Sequence, residues 1–120
     1  MGSKHEYVCA LCVTDWSVNH RGRLYYMRQG KARALTSDAI IDFGPLRGLK
    51  GFPDLFGFER SGGLPVFCVV EVKVPPDKVR PDQVKFLDYL LHVGAPAYIA
   101  TAKGDGYVLE TWQEYKEKKK

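Results

Sequence analysis

The sequence contains no apolar run near the roughly 20 residues that a membrane-spanning helix requires, so no membrane partner is expected. It opens with no signal-peptide pattern. Its three cysteines, an odd and small number, do not make a secreted disulfide framework. A cytoplasmic, DNA-associated location in a bacterial or phage-infected cell is the expected compartment. There is no Walker loop, no dinucleotide fingerprint and no Ser-His-Asp order, which argues against a nucleotide cofactor. No period repeats and no linker divides the 120 residues, a length typical of one domain, so residues 1–120 are expected to form a single unit. The composition, 45% hydrophobic and 27% charged, argues against disorder and against a fibrous repeat.

Charge is unevenly distributed. The formal net charge is +4, of which the last five residues supply +3, so the bulk of the chain is nearly neutral. That lysine-rich end, 116–120, is expected to be a mobile, solvated tail. Between Asp15 and Asp38 lie Arg21, Arg23, Arg28, Lys31 and Arg33 with no acid among them. This block is either a phosphate-binding face or a solvated loop.

Residues 6–18 read as a helix with Val8, Leu11, Cys12 and Trp16 on one face. Arg23 to Arg28 favours a strand, 29–38 reads as loop, and 39–43 as a short strand before Gly44-Pro45. Residues 52–58 and 66–74 are rich in aromatic and β-branched types and flank Gly62-Gly63, a hairpin signal because the favoured tight turn needs two positive φ values. Pro75-Pro76 ends the second run. A helix is expected from Pro81 to about His92, with Val84, Phe86, Leu87, Leu90 and Leu91 on its buried face and Gly94 as its stop. Residues 97–101 form another strand, Gly104-Asp105-Gly106 a turn, and 109–116 a last helix. The layout is α/β, in the order α-β-β-β-α-β with a closing helix, and the crossover helix implies parallel strands on either side.

Asp54, Glu71 and Lys73 carry the candidate chemistry. Alternation along a strand sends Glu71 and Lys73 to one face and Val70 and Val72 to the other. A two-residue turn at Gly62-Gly63 puts Asp54 directly opposite Glu71; a four-residue loop gives the same register and a bulge would shift it. Two opposed carboxylates repel and destabilise a strand pair. Their closeness makes sense with a divalent cation between them, and oxygen ligands suit Mg²⁺, with Mn²⁺ able to substitute. Lys73 is placed to orient an attacking water or to stabilise charge on a phosphoryl oxygen. The chemistry implied is cation-assisted hydrolysis of a phosphodiester. The alternative is a set of surface charges on a solvated sheet face, but the strand around Glu71 is mostly apolar, and buried charges demand partners.

Gly51-Phe52-Pro53-Asp54-Leu55-Phe56-Gly57, then Val70-Glu71-Val72-Lys73, then Pro81-Asp82-Gln83 opening a helix, resemble the PD-(D/E)xK nuclease superfamily. More narrowly they are similar to its VRR-NUC (virus-type replication-repair nuclease) family, over roughly residues 47–101. The resemblance implies a restriction-endonuclease-like core, a central mixed sheet flanked by helices. It implies a metal held by Asp54, Glu71 and the backbone carbonyl of Val72, with Glu6 as a further acid from the first helix. It makes Lys73 the catalytic lysine and Gln83 a residue facing the active site.

Other features rank lower. Cys9 and Cys12 form a lone CxxC on an apolar helix face, read as core rather than zinc ligands. His5, His20 and His92 lack ligand spacing and are read as surface or loop residues. Lys50 lies in a glycine-flanked stretch suited to a phosphate, as to a plain loop. The expectation is a Mg²⁺-dependent DNA endonuclease, a homodimer selective for branched or junction DNA in a repair setting, with Arg21, Arg23, Arg28, Lys31, Arg33 and Lys50 contacting DNA. The rivals are a restriction-like or mismatch-repair nuclease of the same superfamily and a catalytically silent nucleic-acid-binding subunit.

Overall fold

The computed structural model describes residues 3–28, 31–35, 40–45 and 51–118. Helix α1 (Lys4–Asn19) leads into strands β1 (Arg23–Arg28), β2 (Lys31–Leu35), β3 (Ile40–Pro45), β4 (Leu55–Ser61) and β5 (Leu64–Lys73). Helix α2 (Pro81–Val93), strands β6 (Ala97–Lys103) and β7 (Gly106–Thr111) and helix α3 (Trp112–Lys118) follow. Among the described residues the seven strands form one sheet in the order β3-β2-β1-β4-β5-β6-β7. Every neighbouring pair is antiparallel except β5 and β6, which are parallel because α2 carries the chain back across the sheet. The result is an α/β fold compatible with a restriction-endonuclease-like core. No helix among the described residues is long and apolar enough to cross a membrane.

The central hairpin follows from its turn. Gly62 and Gly63 both have positive φ, 59° and 84°, the conformation that matches the twist of the flanking strands. Pairing then runs from Ser61 opposite Leu64 to Leu55 opposite Val70 without a bulge. The next position along would set Asp54 against Glu71, as the two-residue turn requires.

Each face of the sheet carries its own core. Cys68, Val70 and Val72 of β5 join Val8, Cys9, Cys12 and Trp16 of α1 on one side. Val69 of β5 and Ile99 of β6 join Leu87 and Leu90 of α2 and Trp112 and Tyr115 of α3 on the other. Fully burying a side chain such as Leu87 or Ile99 is worth about 1.5–3 kcal/mol, so the helices are held chiefly by these contacts. Cys9 and Cys12 are buried free thiols within the first core. Burial pushes the Cys12 thiol up to about 12, so it behaves as a small apolar residue.

Three expectations need correction. Residues 31–35 are not loop: Lys31-Ala32-Arg33-Ala34-Leu35 is a strand between β1 and β3. It has no β-branched residue, so pairing on both sides, not propensity, makes it extended. The last helix does not begin at Leu109; Gly106–Thr111 first pairs with β6 as a hairpin around Gly104 and Asp105, and the helix starts at Trp112. Leu91 is exposed rather than part of the buried face of α2.

The expected mobile tail is also partly ordered. Lys116 and Lys118 lie in α3. The N-terminus of that helix is capped reciprocally, Glu114 N–H donating to Thr111 Oγ1 and Thr111 N–H to Glu114 Oε1. Trp112 and Tyr115 anchor it, and Trp112 Nε1 donates to Asp88 Oδ1 at 2.7 Å. Lys116 reaches the same oxygen at 2.9 Å, and Lys118 pairs with Glu110 at 2.9 Å. The Lys116 ammonium, then the indole N–H, holds the Asp88 carboxyl below its usual range. Residues 119 and 120 lie outside the described residues.

Candidate active site

Asp54 is fixed by the turn that leads into β4. Gly51 has φ 79°, and a Cβ there would sit 2.3 Å from the carbonyl oxygen of Asp82 in the first turn of α2. Only glycine allows this approach. Phe52 packs edge-on against Phe56 and Phe86, which ties the same turn to α2, and Pro53 is fully buried. Gly51→Ala should therefore cost about 2–3 kcal/mol of stability in denaturant titration, combining the left-handed φ with a backbone clash. A variant as stable as the native chain would show that the turn is not held this way.

Four hydrogen bonds hold Asp54 at the end of the sheet. Its carbonyl accepts from Met27 N–H at 2.9 Å, and its own N–H donates to Glu71 Oε1 at 3.2 Å. Its Oδ2 accepts from Val72 N–H at 2.9 Å, taking the ladder position vacated where β4 begins. The same oxygen lies 3.1 Å from His5 Nε2 of α1. The side chain thus reaches from the register position opposite Glu71 towards the α1 side.

Glu71 and Lys73 are both buried on the face that carries α2. Glu71 Oε2 pairs with Lys73 Nζ at 3.1 Å and accepts from Gln83 Nε2 at 2.8 Å. Gln83 Oε1 accepts from Lys73 Nζ at 3.0 Å and from Arg80 N–H at 2.9 Å. One amide at the start of α2 therefore clasps both charges, and Pro81 at the first helical position sets the backbone that aims it. Burial first, then the Asp54 carboxylate, pushes the Glu71 carboxyl up to about 7, while Lys73 pulls it back.

His5 is the residue that sequence reasoning missed. Its bond to Asp54, then its contact with Cys9 Sγ at 3.9 Å, pushes its imidazole up to about 10, so it is a cation at neutral pH beside Asp54. No local signal could show this, because its partner lies 49 positions away. Glu6, the further acid implied by the resemblance, is exposed and lines the hollow that also holds His5 and Asp54. His20 lies away from that hollow, stacked on Trp16 at 3.7 Å.

The VRR-NUC domain family matches residues 3–104, a span that contains His5, Asp54, Glu71, Lys73 and Gln83. The chain belongs to the VRR-NUC family. A VRR-NUC domain implies nuclease-type function with DNA as substrate. No curated protein and no solved structure matches the chain.

The donor set of this VRR-NUC domain fits a divalent cation. Two carboxylates adjoin, one of them is held away from easy ionisation by burial and by the other, and added positive charge would relieve both. Among the described residues no three His, Cys, Asp or Glu side chains gather to hold a metal. Water and substrate oxygens would complete the shell of such a cation.

The basic block straddles β1, whose Arg23 end lies opposite Phe58 and whose far end, at Tyr26 and Met27, borders the Asp54 hollow. Arg21 follows α1 with a left-handed φ of 53°, and Arg23 opens β1; both are exposed. Arg28 and Lys31 face each other across the β1–β2 pair, and Arg33 is paired with Tyr26 on one side and Asp42 on the other. The side chains of Arg28, Lys31 and Arg33, and all of Lys50, lie outside the described residues.

Proposed function

We propose that this domain is a Mg²⁺-dependent endonuclease, with Mn²⁺ able to substitute, that hydrolyses phosphodiester bonds in DNA. The observation that carries the reading is the buried Glu71–Lys73–Gln83 cluster beside Asp54. A binding module has no use for adjacent carboxylates that repel phosphate, which argues against a catalytically silent subunit. Asp54, Glu71 and the Val72 carbonyl would hold the cation, with Glu6 near enough to its hollow to assist. When bound, the cation supplies Lewis-acid stabilisation of charge on a phosphoryl oxygen. Lys73, held by Glu71 and Gln83, presents its ammonium to the reacting phosphate or orients the attacking water. Gln83 keeps that ammonium from swinging to solvent, and burial strengthens every charge interaction in the cluster.

A domain of this size has little surface for reading bases, so the substrate preference is for DNA shape, branches and junctions above all. Cutting both strands of a symmetric junction needs two sites, which supports a homodimer. The exposed Tyr89, Leu91 and Val93 of α2 offer apolar surface for it. Linear, flap, bubble and four-way-junction DNA, incubated with Mg²⁺ or Mn²⁺, test the reading. Branched forms should be cut faster than linear duplex. Equal rates would remove shape selectivity and favour the restriction-like or mismatch-repair alternative, and no cleavage of any form would favour the silent subunit.

A further inference from the structure

Beyond Lys73 the sheet opens into a groove of about 470 Å³ between the ends of β5 and β6, β7 and α3. The register lays out its floor. Lys73 stands opposite Thr101 and Thr101 opposite Val108, one row of side chains across three strands. Lys103, two residues beyond Thr101, points to the same face. Lys78, from the loop after Pro75 and Pro76, forms another part of the lining.

Charge and unmet hydrogen bonding both favour an anionic, extended ligand. Lys78 and Lys103 are exposed and have no acidic partner among the described residues. Of the two acids in the groove, Glu110 is already neutralised by Lys118, so positive charge is in excess. Thr101 Oγ1 is buried on the wall beside Lys73 and has no hydrogen-bond partner, a costly state for a hydroxyl unless a ligand or its water completes it. Pro75, Pro76 and Val108 add apolar surface suited to deoxyribose and base faces. The groove also lies outside the carboxyl ends of two parallel strands, where open α/β sheets bind ligands.

We infer that one strand of the DNA, on leaving the reacting phosphate at Lys73, runs along this groove with successive phosphates against Lys103 and Lys78. The inference rests on the nuclease reading and adds to it the path of the substrate. That path lies towards the β7 edge of the sheet, whereas Arg23 lies at the end of β1 remote from Asp54, so Arg21 and Arg23 are not part of the track.

Binding in chelator-containing buffer separates the possibilities. The duplexes carry uncharged methylphosphonates at single positions along one strand, and the proteins are the native chain, K78Q/K103Q and R21Q/R23Q. Neutralising the phosphates that lie in the groove should weaken binding to the native chain and to R21Q/R23Q but have no further effect on K78Q/K103Q, the non-additivity of groups in contact. The salt slope of K78Q/K103Q should fall by about 1.8, so the native chain loses about twelvefold more affinity than this variant between 50 and 200 mM salt. Equal methylphosphonate losses in the native chain and K78Q/K103Q overturn the groove. So does a loss of phosphate dependence in R21Q/R23Q alone. Cleavage of unmodified DNA by the native chain, run in parallel, tests the nuclease reading separately: its absence sinks that reading while a surviving coupling still supports a DNA track in the groove.

Discussion

Glu71→Gln should abolish cleavage and change how the fold answers to pH. The folded carboxyl is pushed up to about 7, while an unfolded glutamate titrates near 4.5. Between these values the folded chain keeps a proton that the unfolded chain has released, so native stability falls as pH rises through that window. Above about 7 the cost is fully present. Glutamine has no proton to lose, so in chelator the stability of the variant relative to the native chain should improve from pH 5 to about pH 7 and level off by pH 8. Parallel urea titrations across that range check it, and a difference independent of pH would mean that Glu71 ionises freely in the fold. Calorimetry should also show loss of Mn²⁺ binding; unchanged Mn²⁺ affinity would remove Glu71 from the metal site. Asp54→Asn is the better partner variant than Asp54→Ala, because the amide oxygen can still accept from Val72 N–H.

Lys73→Ala should lower the cleavage rate by about two to four orders of magnitude, the range of a positioned catalytic group. DNA affinity should fall far less, since one phosphate contact contributes modestly. Single-turnover rates and chelator-buffer binding, measured side by side, separate the two effects. Equal losses in rate and binding would reduce Lys73 to one more phosphate contact. The structure adds a second expectation. Removing the ammonium leaves the buried Glu71 with Asp54 still beside it and without its countercharge, so the Glu71 carboxyl should titrate still higher in the variant.

What the sequence made legible was local in origin. The Gly62-Gly63 turn sets the hairpin register from two residues, and alternation along β5 then sends Glu71 and Lys73 to one face and Val70 and Val72 to the other. Pro81 and Gly94 mark the ends of α2 for equally local reasons, the first by its fixed φ and the second by a φ of 85°. What stayed hidden depended on distant partners. β2 is a strand because β1 and β3 flank it, and its alanines and basic residues say nothing of that. β7 was masked by Leu109, Trp112 and Tyr115, whose spacing suits one helix although the chain turns from strand to helix between them. His5 is a site residue only because α1 packs against the end of β4. The anchoring of α3 was equally remote, resting on Asp88 of α2 and Glu110 of β7.

Gln83 has a consequence for which side chains position 83 can accept. It must offer a hydrogen-bond donor to an acid and an acceptor to an amine from the two ends of one planar group. Glutamate would keep the acceptor but set a third carboxylate against Glu71. Lysine would keep the donor but oppose Lys73. Asparagine has both ends yet falls one methylene short. Leucine fills similar space and leaves two buried charges with only each other, the arrangement in which removing a partner is most damaging. The amide is therefore chosen by polarity at both ends at once, and its uncharged state is what lets it stand between opposite charges without taking the side of either.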